Sequence, residues 1–381
     1  MDFGFSAADD EFRAEARQWL AGHVEPGRDR RSWERALGAA GWIGLSWGAT
    51  GYGNRAATLT QQVVWAEEYA RSGAPPRSGH IGEKLLAPTL LAHGTEEQKD
   101  RFLPPVAAGR ELWCQGYSEP GAGSDLAAVR TAAVRDTSGG HRVTGQKIWT
   151  SLAHEADWCF VLARTEPGSR RHHGLSFLLV PMDQPGRIEV RPIRQLTGTG
   201  DFNEVFFDGA RAEHVVGGEG DGWRVAMSLL GFERGVSTLA QQIGFAEELG
   251  LVMRAAVKSG AVTDPVLRER LVRLWAELRT MRWNALRTLG GSEDAGAPSV
   301  AKLLWGGWHQ RLGELAVQVR GAGAAVGPAD WTAGAPYALD PLQHLFLFSR
   351  ADTVYGGSDQ IQRTIIAERV LGLPREPKGG V

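Results

Sequence analysis

The sequence is poor in cysteine, in excess charge and in long apolar runs. Two cysteines in 381 residues cannot build a disulfide framework, and no Cys/His cluster has zinc spacing. Lys and Arg number 42 against 44 Asp and Glu, a formal charge of −2. No basic excess is therefore present to neutralise phosphates, which excludes a nucleic-acid binder held by counterion release. Apolar runs such as Gly174–Val180 fall far below the ~20 residues of a membrane span. Met1–Asp10 is acidic, without a basic-then-apolar signal region, so the expectation is a soluble, cytoplasmic protein. Hydrophobic content of 43% and charged content of 23% exclude dominant disorder. The length allows one large domain or two to three ordinary ones.

Glycine and tryptophan are abundant instead: 50 Gly and 14 Trp, with Gly well above the usual ~7%. Diffuse glycine marks turns, whereas clustered glycine marks backbone that must approach a ligand.

Along the chain the pattern changes twice. Ala8–Leu20 is amphipathic, with Phe12, Ala16, Trp19 and Leu20 on one stripe, and predicts a helix. Leu59–Ala70 and Lys84–His93 predict two more, and Thr95-Glu96-Glu97-Gln98 after Gly94 reads as a fresh N-cap. From Leu112 to about Phe207, β-type runs alternate with turn clusters: Ala128–Val134, His141–Val143, Trp158–Ala163, Leu175–Val180, Ile188–Pro192 and Glu204–Phe207. Their spacing predicts a small antiparallel barrel or sandwich. Helix returns over Trp223–Gly231, Val236–Ser259, Pro265–Leu289, Val300–Gln318 and Gln343–Leu371. Asp264 before Pro265 makes a good helix start. The expected architecture is an N-terminal helical domain (1–111), a central antiparallel β-barrel (112–222) and a C-terminal helical bundle (223–381), an α+β multidomain fold.

Three segments carry the chemical signal. In Gln115-Gly116-Tyr117-Ser118-Glu119-Pro120-Gly121-Ala122-Gly123-Ser124-Asp125, two glycines let main-chain N–H groups approach a ligand beside two hydroxyls. It is neither a Rossmann fingerprint nor a Walker loop, and composition alone leaves an ordinary Gly-Pro turn open. Gly145-Gln146-Lys147-Ile148-Trp149-Thr150-Ser151 offers an indole for stacking and hydroxyls for edge hydrogen bonds to a flat ring system; a core tryptophan at a strand end is the bland alternative. Tyr355-Gly356-Gly357-Ser358-Asp359-Gln360 sets two glycines ahead of a Ser/Asp helix cap, and can also be simply a well-capped final helix.

In this order and spacing the segments resemble the acyl-CoA dehydrogenase family, across essentially the whole chain. Further matches are Gly41-Trp42-Ile43-Gly44 with Glu67-Glu68, His93–Lys99, Leu230-Gly231-Phe232-Glu233-Arg234-Gly235, Ser299-Val300-Ala301-Lys302 and Tyr355–Gly372. The resemblance implies the helical–β–helical fold and an FAD enzyme that oxidises an acyl thioester to its 2,3-enoyl form. A carboxylate would remove the α-proton while the β-hydrogen leaves as hydride to flavin N5. A backbone N–H helps polarise the thioester carbonyl in such an arrangement.

The chain departs from better-known members at the base. Their Glu follows the Tyr of a C-terminal Tyr-Glu-Gly-Thr motif, where this chain has Gly356. A minority branch places the Glu on the first long C-terminal helix, immediately before an Arg; here those residues are Glu233 and Arg234. The resemblance therefore implies Glu233 as base, Arg234 as a substrate or base-holding contact, and Gly356 as carbonyl donor. The Gly-Gly form with Phe-Glu-Arg-Gly also looks like actinobacterial-type members acting on bulky or branched acyl chains. Outside the family context, Glu233 beside Arg234 reads as a solvated charge pair.

Carried over by motif, the flavin contacts are Gln115, Tyr117, Ser118, Gly123, Ser124, Trp149, Thr150 and Ser151. Gln318 and Gly321 match the segment that a neighbouring subunit supplies, although Gly-Gly-x-Gly has become Gly321-Ala322-Gly323-Ala324. Arg268, Ser358 and Gln360 complete the flavin set, and Ser124, Arg234 and Gly357 the substrate set. The remaining tryptophans are read as core. The implied partners are an acyl-CoA or carrier-bound acyl thioester, an electron-transfer flavoprotein as acceptor, and further subunits in a homodimer, homotetramer or α2β2 heterotetramer. Two alternatives remain at this level: a flavin monooxygenase on the same fold, or a non-catalytic or partly catalytic subunit of a heteromeric dehydrogenase.

Overall fold

The computed structural model describes residues 5–137, 139–232, 237–289, 296–326 and 339–375. They fall into two compact units, one built on Ser6–Arg194 with Gly200–Arg234, the other on Gly235–Val381 with Gln195–Thr199.

In the first unit, five helices lead the chain: α1 (Ala7–His23), α2 (Arg30–Ala39), α3 (Leu59–Arg71), α4 (Ala87–His93) and α5 (Glu96–Ala107). Capping boxes start α1 at Ser6, α3 at Thr58 and α5 at Thr95, which satisfy the orphan N–H groups of each first turn. A π-helical turn, Gly82–Leu86, runs straight into α4. Four tryptophans pack between α1, α2 and α3, with Trp42 and Trp65 stacked at 4.3 Å. Arg13 and Arg17 on α1 reach the buried Glu67 and Glu68 on α3. This accounts for much of the tryptophan content as core.

Eight strands follow: β1 (Trp113–Gly116), β2 (Ala132–Arg135), β3 (His141–Ser151), β4 (Trp158–Arg164), β5 (Leu175–Pro181), β6 (Ile188–Ile193), β7 (Phe202–Ala212) and β8 (His214–Val216). They form one sheet in the order β6-β7-β3-β2-β4-β5-β8, with β1 beside β4. Pairing is antiparallel except at β1–β4 and at the single β2–β4 bridge. Strands β4 and β5 are buried on both faces. Trp158, Phe160 and Leu162 face the helical core, and Cys159, Val161 and Ala163 pack with Val143, Val205 and Phe207. Helix α6 (Gly222–Phe232) closes the unit, its Val225, Ala226 and Leu229 entering the same helical core.

The second unit holds α7 (Ser237–Ser259), α8 (Pro265–Leu289), α9 (Ala297–Gln318), α10 (Pro341–Ser349) and α11 (Asp359–Ile365). Its core joins Phe245, Leu249 and Val252 of α7 to Leu271, Leu274 and Leu278 of α8 and Trp308, Leu312 and Leu315 of α9. Asp264 caps α8 as expected, its Oδ1 accepting from Val266 N at 2.8 Å.

The expected helical stretch Gln343–Leu371 is corrected: α10 ends at Ser349, and α11 begins at Asp359 before a π turn at Ile366–Val370. The break has a backbone cause. Gly356 and Gly357 sit at φ +63° and +83°, a left-handed region that a helix cannot pass through.

Candidate active site

In the first unit, two sequence-distant glycine-bearing segments are held together. The loop after β1 folds on itself where Glu119 and Ala122 exchange backbone hydrogen bonds at 3.0 Å. Ile148 N then donates to Ser118 O at 2.9 Å. Beneath both lies Lys147, fully buried, whose Nζ donates to Tyr117 O, Glu119 Oε1 and Leu162 O at 3.0, 2.9 and 2.8 Å. Glu119 in turn accepts from Arg130 N and Thr131 N at 2.7 and 2.8 Å. Burial pulls the Lys147 ammonium below its ordinary range, against the attraction of Glu119. Burial pushes on Glu119 in the opposite sense, yet the Lys147 charge and the donors around it hold its carboxyl below the usual value. The pair fixes the loop and the strand as one body.

Strand β3 then breaks register against β7 between Lys147 and Thr150. A bulge of this kind re-aims a side chain. Here it carries Trp149, whose φ of +60° is left-handed and whose side chain is 57% exposed. Next to it, Thr150 is buried and its Oγ1 has no hydrogen-bond partner. An exposed indole beside an orphaned hydroxyl fits a planar ring system with polar edges. Gly121 and Gly123 have no atom within 4 Å of a notional Cβ, so their backbone is open to approach. The residues present fit a flavin. Tyr117, among the expected contacts, belongs to the hydrophobic core, packed edge-on to Phe160 and Phe177 at 5.8 and 6.3 Å. Gln115 lies on β1, paired with Phe160, and Ser118, Ser124 and Ser151 are at least partly accessible.

In the second unit, Gln318 and Gly321 line a cleft of about 570 Å³ with Val317, Gln343, Phe346 and Leu347. Its apolar walls and few polar groups suit a flat heterocycle. Gln318 Oε1 accepts from Arg270 at 2.8 Å. Arg268 is exposed on the first turn of α8, two residues away. Helix register near Pro265 is invisible in periodicity alone, and it is Arg270 rather than Arg268 that meets Gln318.

The Gly356–Gly357 turn is pinned from both sides. Gln362 Nε2 donates to Gly356 O and Gly357 O at 3.1 and 3.2 Å, and the Ser358 side chain caps α11 by accepting from Ile361 N; Gln360 is exposed on the same turn. On the other side, Tyr355 OH donates to Asp352 Oδ1 at 2.8 Å, and Lys302 Nζ donates to Asp352 O. Among the described residues, the Gly356 N–H has no acceptor. Glu233 and Arg234 lie outside the described residues. No group of three His, Cys, Asp or Glu that could hold a metal is found among the described residues, nor is any helix long and apolar enough to cross a membrane.

Three family models match: the acyl-CoA dehydrogenase N-terminal domain over residues 6–110, the middle domain over 114–210 and the C-terminal domain over 220–371. The chain is 53% identical over 393 residues to acyl-CoA dehydrogenase IpdE1 of Mycobacterium tuberculosis, covering 97% of this chain and 99% of that protein. A solved structure described as "Tcur3481-Tcur3483 steroid ACAD" superposes with a TM-score of 0.85 at 29% identity, over 99% of this chain and all of that one. The ChsE4-ChsE5 complex of Mycobacterium tuberculosis gives 0.82 at 28%, over 98% of this chain and all of that one. With its helical–β–helical order, its two clamped loops and a residue set that fits the cofactor, the chain belongs to the acyl-CoA dehydrogenase family and is an FAD-dependent oxidoreductase.

Proposed function

We propose that this chain removes the α-proton of an acyl-CoA thioester with Glu233, and that the Gly356 N–H polarises the carbonyl. The observation that carries the reading is the left-handed Gly356, φ +63°, with an N–H lacking any acceptor among the described residues. A glycine there supplies a donor and no carboxylate, so the base must come from another element. FAD, when bound, supplies the acceptor for the β-hydrogen. Trp149, Thr150 and Ser151, with Gln115, Tyr117, Ser118, Gly123 and Ser124, would hold its flavin end. Gln318 and Gly321 would serve its adenylate end, in an assembly of subunits, and Arg268, Ser358 and Gln360 would complete the cofactor contacts. Glu233 accepts the proton on its carboxylate, and Arg234, charged at every working pH, orients that carboxylate or the thioester. Gly357 and Ser124 contribute main-chain and hydroxyl contacts to the substrate.

The substrate class we favour is a bulky, ring-bearing acyl-CoA of steroid origin. The missing side chain at Gly356 and the likeness to a structure described as a steroid ACAD support this. Three working parts, 1–111, 112–222 and 223–381, are supported by the spans of the three family models. A heteromeric assembly, with electron-transfer flavoprotein as electron acceptor, is the second reading. It is favoured because both solved relatives are described by two names each. A cytoplasmic setting is supported by two buried, free cysteines, Cys114 and Cys159, since such thiols persist in reducing compartments.

Glu233→Gln tests the base. Losing a general base costs about 10²–10⁴-fold, so anaerobic flavin bleaching by an acyl-CoA should slow by at least that much, with FAD still bound. Bleaching at the wild-type rate would remove Glu233 from the role.

A further inference from the structure

Around the Gly356 turn lies a buried polar chain that the reaction as proposed does not use. His309 on α9 is 3% exposed, with Nδ1 2.5 Å from Asp352 Oδ2 and Nε2 2.8 Å from Glu248 Oε2 on α7. Asp352 is fully buried; its second carboxylate oxygen takes the Tyr355 hydroxyl, and its carbonyl takes Lys302 Nζ. Lys302 Nζ also sits 3.8 Å over the Trp305 ring and 4.5 Å over the Tyr355 ring. Phe245 of α7 covers the imidazole at 4.4 Å. Among the described residues, the charged or titratable groups facing His309 and Asp352 are thus Glu248 from α7, Lys302 from α9 and Tyr355 from the turn itself.

The donor at issue belongs to the peptide joining Tyr355 to Gly356. Its direction depends on where the Tyr355 residue is held, and Tyr355 is held through Asp352. A left-handed glycine pair has little stiffness of its own, so the carbonyl side pinned by Gln362 and the Tyr355 side pinned by Asp352 together determine where the N–H points. We infer that His309, bridging Glu248 and Asp352, is a positioning residue that holds the Tyr355–Gly356 peptide so that its N–H meets the thioester carbonyl. The inference rests on the reading of Gly356 as carbonyl donor.

The chain has the right stiffness for such a task. An imidazolium between two carboxylates makes charge-assisted hydrogen bonds on both sides, which are shorter and stronger than neutral ones. Neutral imidazole keeps only one N–H, so loss of the proton leaves one carboxylate facing a lone pair. Desolvation opposes the charged ring, but Asp352 and Glu248 outweigh it and raise the His309 pKa to about 9. Positioning should therefore persist through neutral pH and fail on the alkaline side.

The test follows exchange of the α-protons of 3,3-dimethylbutyryl-CoA into D2O by the FAD-loaded enzyme, between pH 6 and 10. That thioester has no β-hydrogen, so only carbonyl polarisation and proton removal are read. Wild type should lose exchange with an alkaline limb near pH 9. His309→Gln, with FAD retained by its visible spectrum, should slow exchange by about 10- to 100-fold, the scale of a 1 Å misplacement, and abolish that limb. Glu248→Gln removes one carboxylate, so the limb should move toward neutrality, and the His309 ring should titrate lower by NMR. A His309→Gln enzyme that keeps FAD and exchanges at the wild-type rate with an unchanged profile overturns the inference. Should His309→Gln not fold, the Glu248→Gln limb decides, and an unmoved limb overturns it equally. Glu233→Gln separates the two readings: abolished exchange upholds Glu233 as base whatever the His309 variants do, and persistent exchange removes it while the limb comparison still judges His309.

Discussion

Lys147 is fully buried and has three oxygen acceptors, and two of those acceptors belong to the glycine-rich loop. The ammonium is thus the fastener between two segments that each carry proposed flavin contacts. Replacing it with methionine would keep the volume and remove the charge, leaving Glu119 buried with its backbone donors only. Breaking a buried ion pair from one side costs about 3–5 kcal/mol because the remaining charge is uncompensated. Lys147→Met is therefore expected to lower urea stability by that amount and to release FAD more readily, and adding Glu119→Gln should recover part of the loss. A drop below about 1 kcal/mol would mean the loop does not depend on this pair. The residue was in plain view in the sequence, inside Gly145–Ser151, as was Glu119 inside the other segment. Their pairing is a contact between residues 28 apart, and nothing in local pattern announces such a contact.

Elements with strong local signals were legible, and those defined by long-range pairing were not. The Thr95 cap, the Pro265 start and the runs of β4 and β5 were all readable, because caps and buried apolar strands leave a residue-level trace. Strand β1, with Trp113-Cys114-Gln115-Gly116, has only four residues and exists through parallel pairing with β4. The continuation of β3 from Val143 to Ser151 passes through Gly145 and polar residues, and β7 supplies its reason to be a strand. Helix α2 (Arg30–Ala39), opening on Arg30 and Arg31, is not among the helices expected from the sequence. Between α10 and α11, periodicity ran on while two glycines turned the backbone. This break yields a comparison. A Cβ on Gly357 would stand 2.6 Å from Gln362 Nε2, whereas on Gly356 the nearest atom is 3.9 Å away. Both substitutions by alanine carry the left-handed penalty of about 1–2 kcal/mol, but Gly357→Ala must also displace Gln362 from the two turn carbonyls. Urea unfolding should therefore rank Gly357→Ala as the more damaging. Equal losses would show that the Gln362 clasp contributes nothing.

At the scale of the whole molecule, the buried His309–Asp352 pair, bridged to the partly exposed Glu248, ties α7, α9 and the segment after α10 into one unit, so its protonation bears on global stability. His309 is raised from 6.5 to about 9 in the folded state; desolvation works against the proton, and hydrogen bonds to Asp352 and Glu248 more than restore it. A folded pKa above the unfolded one means that folding binds a proton. The stabilisation is therefore complete below about pH 6.5, declines between 6.5 and 9, and is gone above 9. Converted at 1.36 kcal/mol per pKa unit, the stake is about 3 kcal/mol. Urea unfolding of the intact FAD-loaded protein at pH 6, 7.5 and 9.5 should show stability falling across the series. In His309→Gln the part of the slope due to this group should vanish, since glutamine cannot take up the proton. An identical slope in the variant would place the pH dependence in other groups and leave the His309 bridge a neutral hydrogen bond, too weak to fasten three elements.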